Sequence, residues 1–261
     1  MPISKTNIMV MAGTKDAAII IEKLSKTEKF RILATTTTNY GADIAKSAGA
    51  DEIISKALKK EKIIETIKNN NIQFLIDATH PFAASATFNA INASKITGIK
   101  YIRFERPQIE LPENNLIYKV FSFEEAALKS LELTKGNILH LAGVSTLKPV
   151  IEKIDPSRLF TRVLPSLDSI GKCLDLGLKQ ENIMAMQGTF SKNFNKALIE
   201  EYDISLIITK ESGETGGTPS KINAALDLDV NVVIVVRPEI KELENQTIFN
   251  NIDKIYNFLL K

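Results

Sequence analysis

Phe74-Leu75-Ile76-Asp77-Ala78-Thr79-His80-Pro81-Phe82-Ala83 is the stretch on which the fold of this chain turns. Its first three residues form an apolar run too short for a helix and read as a buried strand. A long helical pattern, Phe82 to Thr97, follows. An acid, a hydroxyl and one of only two histidines therefore sit at the carboxyl end of a strand. Open α/β sheets bind their ligands at that edge.

The same alternation extends outward. Before this stretch come a strand from Asn7 to Ala12, a helix from about Lys15 to Ser25 and a strand from Phe30 to Ala34. A helix after Tyr40, a short strand near Glu52 to Ile54 and a helix from Lys60 to Asn69 follow. Tyr101 to Phe104 reads as the next strand. Arg106 to Asn115 holds two prolines and lacks periodicity, which marks a connection. Beyond it, strands are expected at Leu116 to Val120, Asn137 to Leu141, Leu159 to Val163, Ile183 to Met186, Ile204 to Ile208 and Val230 to Val236. Helices alternate with them. The tail, Ile248 to Leu260, has helical spacing and is expected to close one edge of the second sheet. The pattern predicts an α/β protein of two Rossmann-like, doubly wound parallel-sheet domains with a cleft between them. Residues 1–107 and 116–261 are the expected domains, with 108–115 connecting them.

Composition narrows the function. A net charge of +2 over 261 residues makes no demand for nucleic acid or an acidic membrane. The apolar run Ile8 to Ala12 is too short for a signal-peptide core or a membrane span. Cys173 is the only cysteine, so neither an internal disulfide nor a cysteine-based metal cluster is possible. That fits a reducing cytoplasm, and no metal is expected.

Several strand ends carry chemistry. Ala12-Gly13-Thr14 turns the first strand into the first helix: Gly13 permits a tight turn, and Thr14 can cap a helix whose amides attract phosphate. A glycine turn with a threonine cap is the plainer reading of the same residues. The second strand ends in a threonine run, in which Thr36 and Thr37 stand where an acid would hold a ribose in an NAD site. Their hydroxyls favour NADPH, with NADH possible; β-propensity and turn formation account for the same residues. Pro81 is expected to open the helix after His80, whose ring then stays neutral against the helix dipole and can pass on a proton. His80 is thus the candidate catalytic residue, and Thr79 beside it a cofactor contact. A satisfied structural histidine is the alternative.

In the second half, Thr209-Lys210-Glu211-Ser212-Gly213-Glu214-Thr215-Gly216-Gly217-Thr218-Pro219-Ser220-Lys221 leaves a strand, crosses a glycine-rich loop and enters a helix. Such a loop can expose consecutive amides to an anion, with Lys210 and Lys221 adding charge. The alternative is a flexible connection. The spacing of a P-loop is absent. Arg106 and Arg237 each follow a strand, where a guanidinium can hold carboxylate or phosphate.

Together these segments resemble the precorrin-6A reductases of cobalamin biosynthesis. The resemblance runs along nearly the whole chain: the Gly-Thr turn, Asp77 to Ala83, Arg106-Pro107, Met186-Gln187-Gly188, Thr209 to Gly217 with Lys221, and Arg237-Pro238. It implies reduction of one double bond in a polycarboxylate tetrapyrrole, with a reduced nicotinamide as donor. Both would lie in the cleft between tandem Rossmann-like domains. Gly13, Thr14, Thr36, Thr37, Thr79 and His80 then face the cofactor. Lys210, Ser212, Gly213, Gly216, Gly217, Lys221 and Arg237 face the substrate. Two positions depart from the family pattern: Ala12, where a glycine is common, and Thr189, where a proline is. Ile183 to Gly188 is more similar to the branch whose substrate carries cobalt. A glycosyltransferase-like enzyme using a sugar nucleotide and a non-catalytic two-domain tetrapyrrole-binding protein are the competing readings. The sequence sets no oligomeric state.

Overall fold

The computed structural model describes residues 5–260. The chain runs β1 (Thr6–Met11), α1 (Lys15–Ser25), β2 (Phe30–Thr36), α2 (Asn39–Ser47), β3 (Glu52–Ser55), α3 (Lys60–Asn69), β4 (Phe74–Asp77), α4 (Ala84–Thr97) and β5 (Lys100–Phe104). It continues with β6 (Ile117–Val120), α5 (Phe123–Leu133), β7 (Asn137–His140), α6 (Lys148–Ile151), β8 (Leu159–Val163), α7 (Leu167–Asp175) and β9 (Ile183–Ala185). Then follow α8 (Lys192–Glu201), β10 (Ile204–Lys210), α9 (Thr218–Leu226), β11 (Asn231–Val235), β12 (Thr247–Phe249) and α10 (Ile252–Leu259). Side-chain oxygens of Thr14, Thr38, Ser122, Ser166, Ser191 and Asn251 accept backbone N–H groups at helix starts, which is why α1, α2, α5, α7, α8 and α10 begin where they do. No helix among the described residues is long and apolar enough to cross a membrane.

The strands form two six-stranded sheets, ordered β12-β5-β4-β1-β2-β3 and β6-β11-β10-β7-β8-β9, with every pairing parallel. Both are therefore the α/β sheets the periodicity predicts. Strand β1 shows why its run is continuously apolar. Ile8 and Val10 pack into the layer containing α1, while Met9 and Met11 face the layer containing α3 and α4. A parallel sheet is covered on both faces, so both halves of the period-2 pattern are buried.

The chain divides into Met1–Pro107 with Pro238–Lys261, and Gln108–Arg237. This corrects the expected partition of the C-terminal segment. The tail does not close the second sheet: β12 pairs with β5 of the first, and Ile255 and Leu259 of α10 enter the first core beside Ile20 and Leu24. The reason is sheet-edge complementarity. An uncovered parallel edge takes a strand wherever the chain supplies one, and β6 already fills the corresponding edge of the second sheet. The connection also belongs to a unit, because Ile109 and Leu111 pack on the second core.

Each sheet thus has the order 3-2-1-4-5 with a sixth strand brought from elsewhere, β12 in one and β6 in the other. The order reverses between β1 and β4 in the first sheet and between β7 and β10 in the second. Those two crevices are where ligands of such sheets bind.

Ile255→Ala removes a fully buried side chain and is expected to cost about 2–5 kcal/mol in denaturant unfolding. Hydrogen exchange should speed in β1 and β2 and remain unchanged in β10 and β11. Loss centred on the second sheet would contradict the packing described.

Candidate active site

In the first unit the crevice is built from the ends of β1 and β4. Gly13 turns the chain with φ +105°, and a Cβ placed there would meet nothing within 4 Å. The turn is therefore glycine-specific and leaves the backbone open to a ligand. Thr14 caps α1 by accepting from Ala17 N at 3.1 Å, and its hydroxyl donates across the crevice to Ala78 O at 2.8 Å.

Asp77 is fully buried and receives five hydrogen bonds. Thr79 N, Thr79 Oγ1 and Arg103 Nη1 donate to Oδ1 at 3.0, 2.7 and 2.9 Å; Thr87 Oγ1 and Tyr101 OH donate to Oδ2 at 2.7 and 2.8 Å. Arg103, itself buried on β5, also donates from Nε to Glu105 at 2.7 Å. Burial and the adjacent Asp77 carboxylate push the Tyr101 hydroxyl's pKa upward. A buried carboxylate is tolerated only when paired and saturated in this way. The result is a fixed backbone at Thr79 and His80.

His80 Nδ1 accepts from Phe82 N at 3.2 Å, which leaves Nε2 as the hydrogen-bearing nitrogen of the neutral ring. Helix α4 starts at Ala84, and His80 to Ala83 forms a turn closed by Ala83 N on His80 O at 2.8 Å. Pro81 therefore does not open the helix, and the dipole argument for a neutral ring does not apply. The two threonines of the expected ribose site divide. Thr36 is 2% exposed and donates to Thr38 O at 3.1 Å, while the Thr37 side chain is exposed. Thr35, Thr36, Thr37, Lys56 and Thr79 line a cavity of about 90 Å³ beside Met11. Arg106 pairs with the buried Asp16 in the first turn of α1, so an internal carboxylate already neutralises it.

In the second unit the buried carboxylate is Glu211, the residue that follows β10. It is buried, paired through Oε2 with Arg237 Nε, and its Oε1 accepts from Arg237 Nη2 at 3.3 Å, Gly213 N at 3.0 Å and Ile109 N at 3.4 Å. Arg237, expected to face the substrate, is instead a buried partner of Glu211. The glycine-rich loop differs too. Ser212 N donates to Thr218 Oγ1, Gly216 N to Gly213 O, Gly217 N to Glu214 O and Thr218 N to Gly213 O. With Gly213 N on Glu211, five of the loop's amides are committed to internal acceptors, and only those of Glu214 and Thr215 have none among the described residues. Gly213 and Gly217 serve its shape, at φ +75° and +69°.

Three cations converge here. Lys221, 8% exposed, reaches Leu141 O at 3.3 Å and Gly216 O at 3.4 Å. Burial, then Arg162 and Lys210, push its pKa down to about 7. Burial lowers that of Lys210 to about 8 and that of Arg162 to about 10. Arg162 lies 4.5 Å from the Phe190 ring centre and donates to Asn195 at 2.9 Å. His140 is wholly buried between Thr161 and Thr146 at 3.1 Å each. Burial and both lysines hold its pKa near about 3, so it is a neutral support. The cluster is a desolvated positive site suited to carboxylates.

The sequence profile of the family described as precorrin-6x reductase CbiJ/CobK matches residues 7–260. This chain belongs to that family. It is 45% identical to the cobalt-precorrin-6A reductase of Methanothermobacter thermautotrophicus over 98% of this chain and 84% of that one. It is 36% identical to the enzyme of the same name from Priestia megaterium, over 97% and 98%. A solved CobK precorrin-6A reductase superposes with a TM-score of 0.80 at 19% identity, covering 98% of this chain and 97% of that one, which matches the fold. As a family member, the protein is an oxidoreductase of cobalamin biosynthesis.

Sequence reasoning missed Arg162, Phe190 and Arg103. Arg162 carried a readable signal, a cation one residue from the end of a predicted strand; Arg103 was hidden inside one.

Asp77→Asn removes the buried carboxylate on which Thr79, Thr87, Tyr101 and Arg103 converge, leaving Arg103 with Glu105 alone, and is expected to destabilise the protein by about 1–3 kcal/mol in denaturant titration. His140 has a folded pKa below its unfolded value, so the unfolded chain binds its proton first. Stability should fall by up to about 1.4 kcal/mol per pH unit as pH drops from 6.5 toward 3, and His140→Gln should lack this slope.

Proposed function

We propose that the protein reduces cobalt-precorrin-6A to its 6B form. Lys210, Lys221 and Arg162 bind the acid arms of the macrocycle, and the crevice at Gly13 holds the reduced nicotinamide. The cation cluster is the observation that carries the substrate side. A substrate rich in carboxylates relieves the mutual repulsion of the buried Lys221 and the half-buried Lys210 and Arg162 beside it. The relatives' names and the similarity of Ile183 to Gly188 to the anaerobic branch support the cobalt form.

The first unit fits a dinucleotide. The unfilled space at Gly13 admits a pyrophosphate against the backbone, and the amides at the start of α1 can accept its charge. When bound, the nicotinamide supplies the hydride. The protein's part is to position the ring and provide a proton route. His80, held by the Asp77 network through Thr79, is the candidate donor through Nε2. Thr36 turns its hydroxyl inward, so Thr37 and Lys56 are left to meet the ribose. No acid stands at the end of β2, and we expect both NADPH and NADH to serve. The single cysteine, Cys173, is buried, which suits a reducing cytoplasm.

Purified protein with authentic cobalt-precorrin-6A and either nicotinamide should change the visible spectrum of the corrin; no change with both would remove this reading. Gly13→Val should raise KM for the nicotinamide and leave that for the corrin near wild type. Carboxylate binding needs protonated lysines. Hence kcat/KM for the corrin should fall as pH rises through about 7 to 8, and Lys221→Met should abolish the lower of the two steps.

A further inference from the structure

The loop after β7 presents three consecutive amides, whereas in the glycine-rich loop after β10 the first of the corresponding amides, Gly213 N, is already taken by Glu211. Leu141 N donates to Ile208 O at 2.8 Å, the last bond of that ladder. The chain then turns at Gly143, φ +87°, into a 3-10 turn, Val144–Thr146, that leads to α6. Thr146 N bonds Gly143 O at 3.1 Å and Leu147 N bonds Val144 O at 3.2 Å. Among the described residues, the amides of Gly143, Val144 and Ser145 have no acceptor. A Cβ built on Gly143 would meet nothing within 4 Å, so the backbone there is open.

Buried charge lies beside this turn. Lys221, more than nine-tenths buried, reaches Leu141 O, two residues before Gly143. The register sets Ile208 beside His140, so Lys210 comes level with Ala142. Between them in that register, Thr209 Oγ1 is fully buried and has no hydrogen-bond partner among the described residues. His140 joins Thr161 to Thr146, which ties the turn to β8.

We propose that the Gly143–Ser145 turn and the Lys221 ammonium form a carboxylate subsite for one acid arm of the corrin, an inference that rests on the reductase reading above. A carboxylate there accepts charge-assisted hydrogen bonds without displacing any internal one. The turn follows the central strand of its sheet, as the Gly13 turn does in the first. The two units thus use the same backbone position for two anions, a phosphate and a carboxylate.

Val144→Pro tests the subsite. Val144 opens the 3-10 turn, its N–H has no acceptor to lose, and Gly143 has the extended ψ of 159° that precedes a proline well. Wild-type turnover of cobalt-precorrin-6A is measured first; its absence removes the reductase reading, and this inference with it. With turnover present, the folded variant should raise KM for the corrin about ten-fold or more, while kcat and the nicotinamide KM stay near wild type. An unchanged corrin KM, or a rise confined to the nicotinamide, overturns the subsite and leaves the reductase reading intact. If the variant does not fold, hydrogen exchange on the wild type decides. Adding the corrin alone should slow exchange at residues 143–145, and unaltered exchange there overturns the proposal.

Discussion

Two buried carboxylates hold the ligand-binding edges of this protein in shape. Asp77 and Glu211 each stand at the end of the strand just past the reversal of their sheet. Each is clamped by an arginine from the neighbouring strand or the residues just after it, Arg103 or Arg237. Each also accepts the backbone N–H two residues on, from Thr79 or Gly213. A buried carboxylate short of partners is costly, so the segment that satisfies it has little freedom. Rigidity at the crevice is therefore a consequence of charge burial, and the residues that line it are positioned by ones that do not.

The sixth strands add a second constraint. Because β12 and α10 complete the first sheet, that unit is made of two separated stretches of chain, and its core closes only when the C-terminal segment docks. The second unit is continuous and takes its sixth strand, β6, from its own beginning. The two sheets share an order and differ in how the chain fills it.

Much of the chemistry was legible in the residues, but its allocation was not. Gly13, Thr14 and Lys221 lie at the crevices that strand order selects. Arg106 and Arg237 have the same sequence setting, an arginine before a proline after a strand, and both turn out to neutralise internal carboxylates. Three glycines between Lys210 and Lys221 suggested an open anion nest, yet Ser212, Gly213, Gly216, Gly217 and Thr218 all commit their amides to the loop's own carbonyls and side chains. The barer sequence around Gly143 lacks a carboxylate such as that of Glu211 and keeps three consecutive amides without an internal acceptor among the described residues. Glycine content reports that a backbone can turn sharply; it does not report where its N–H groups point.

The amino-acid sequence by itself determined the alternation of strand and helix, the doubling of the sheet and the strand ends that carry polar residues. Those follow from period and from local turn chemistry, which neighbouring residues settle among themselves. Only the tertiary structure decided which acid each arginine meets, which loop amides remain without acceptors and which sheet receives the tail. These are choices of partner between segments far apart in the chain, and they are made by burial and hydrogen-bond saturation acting on the whole fold.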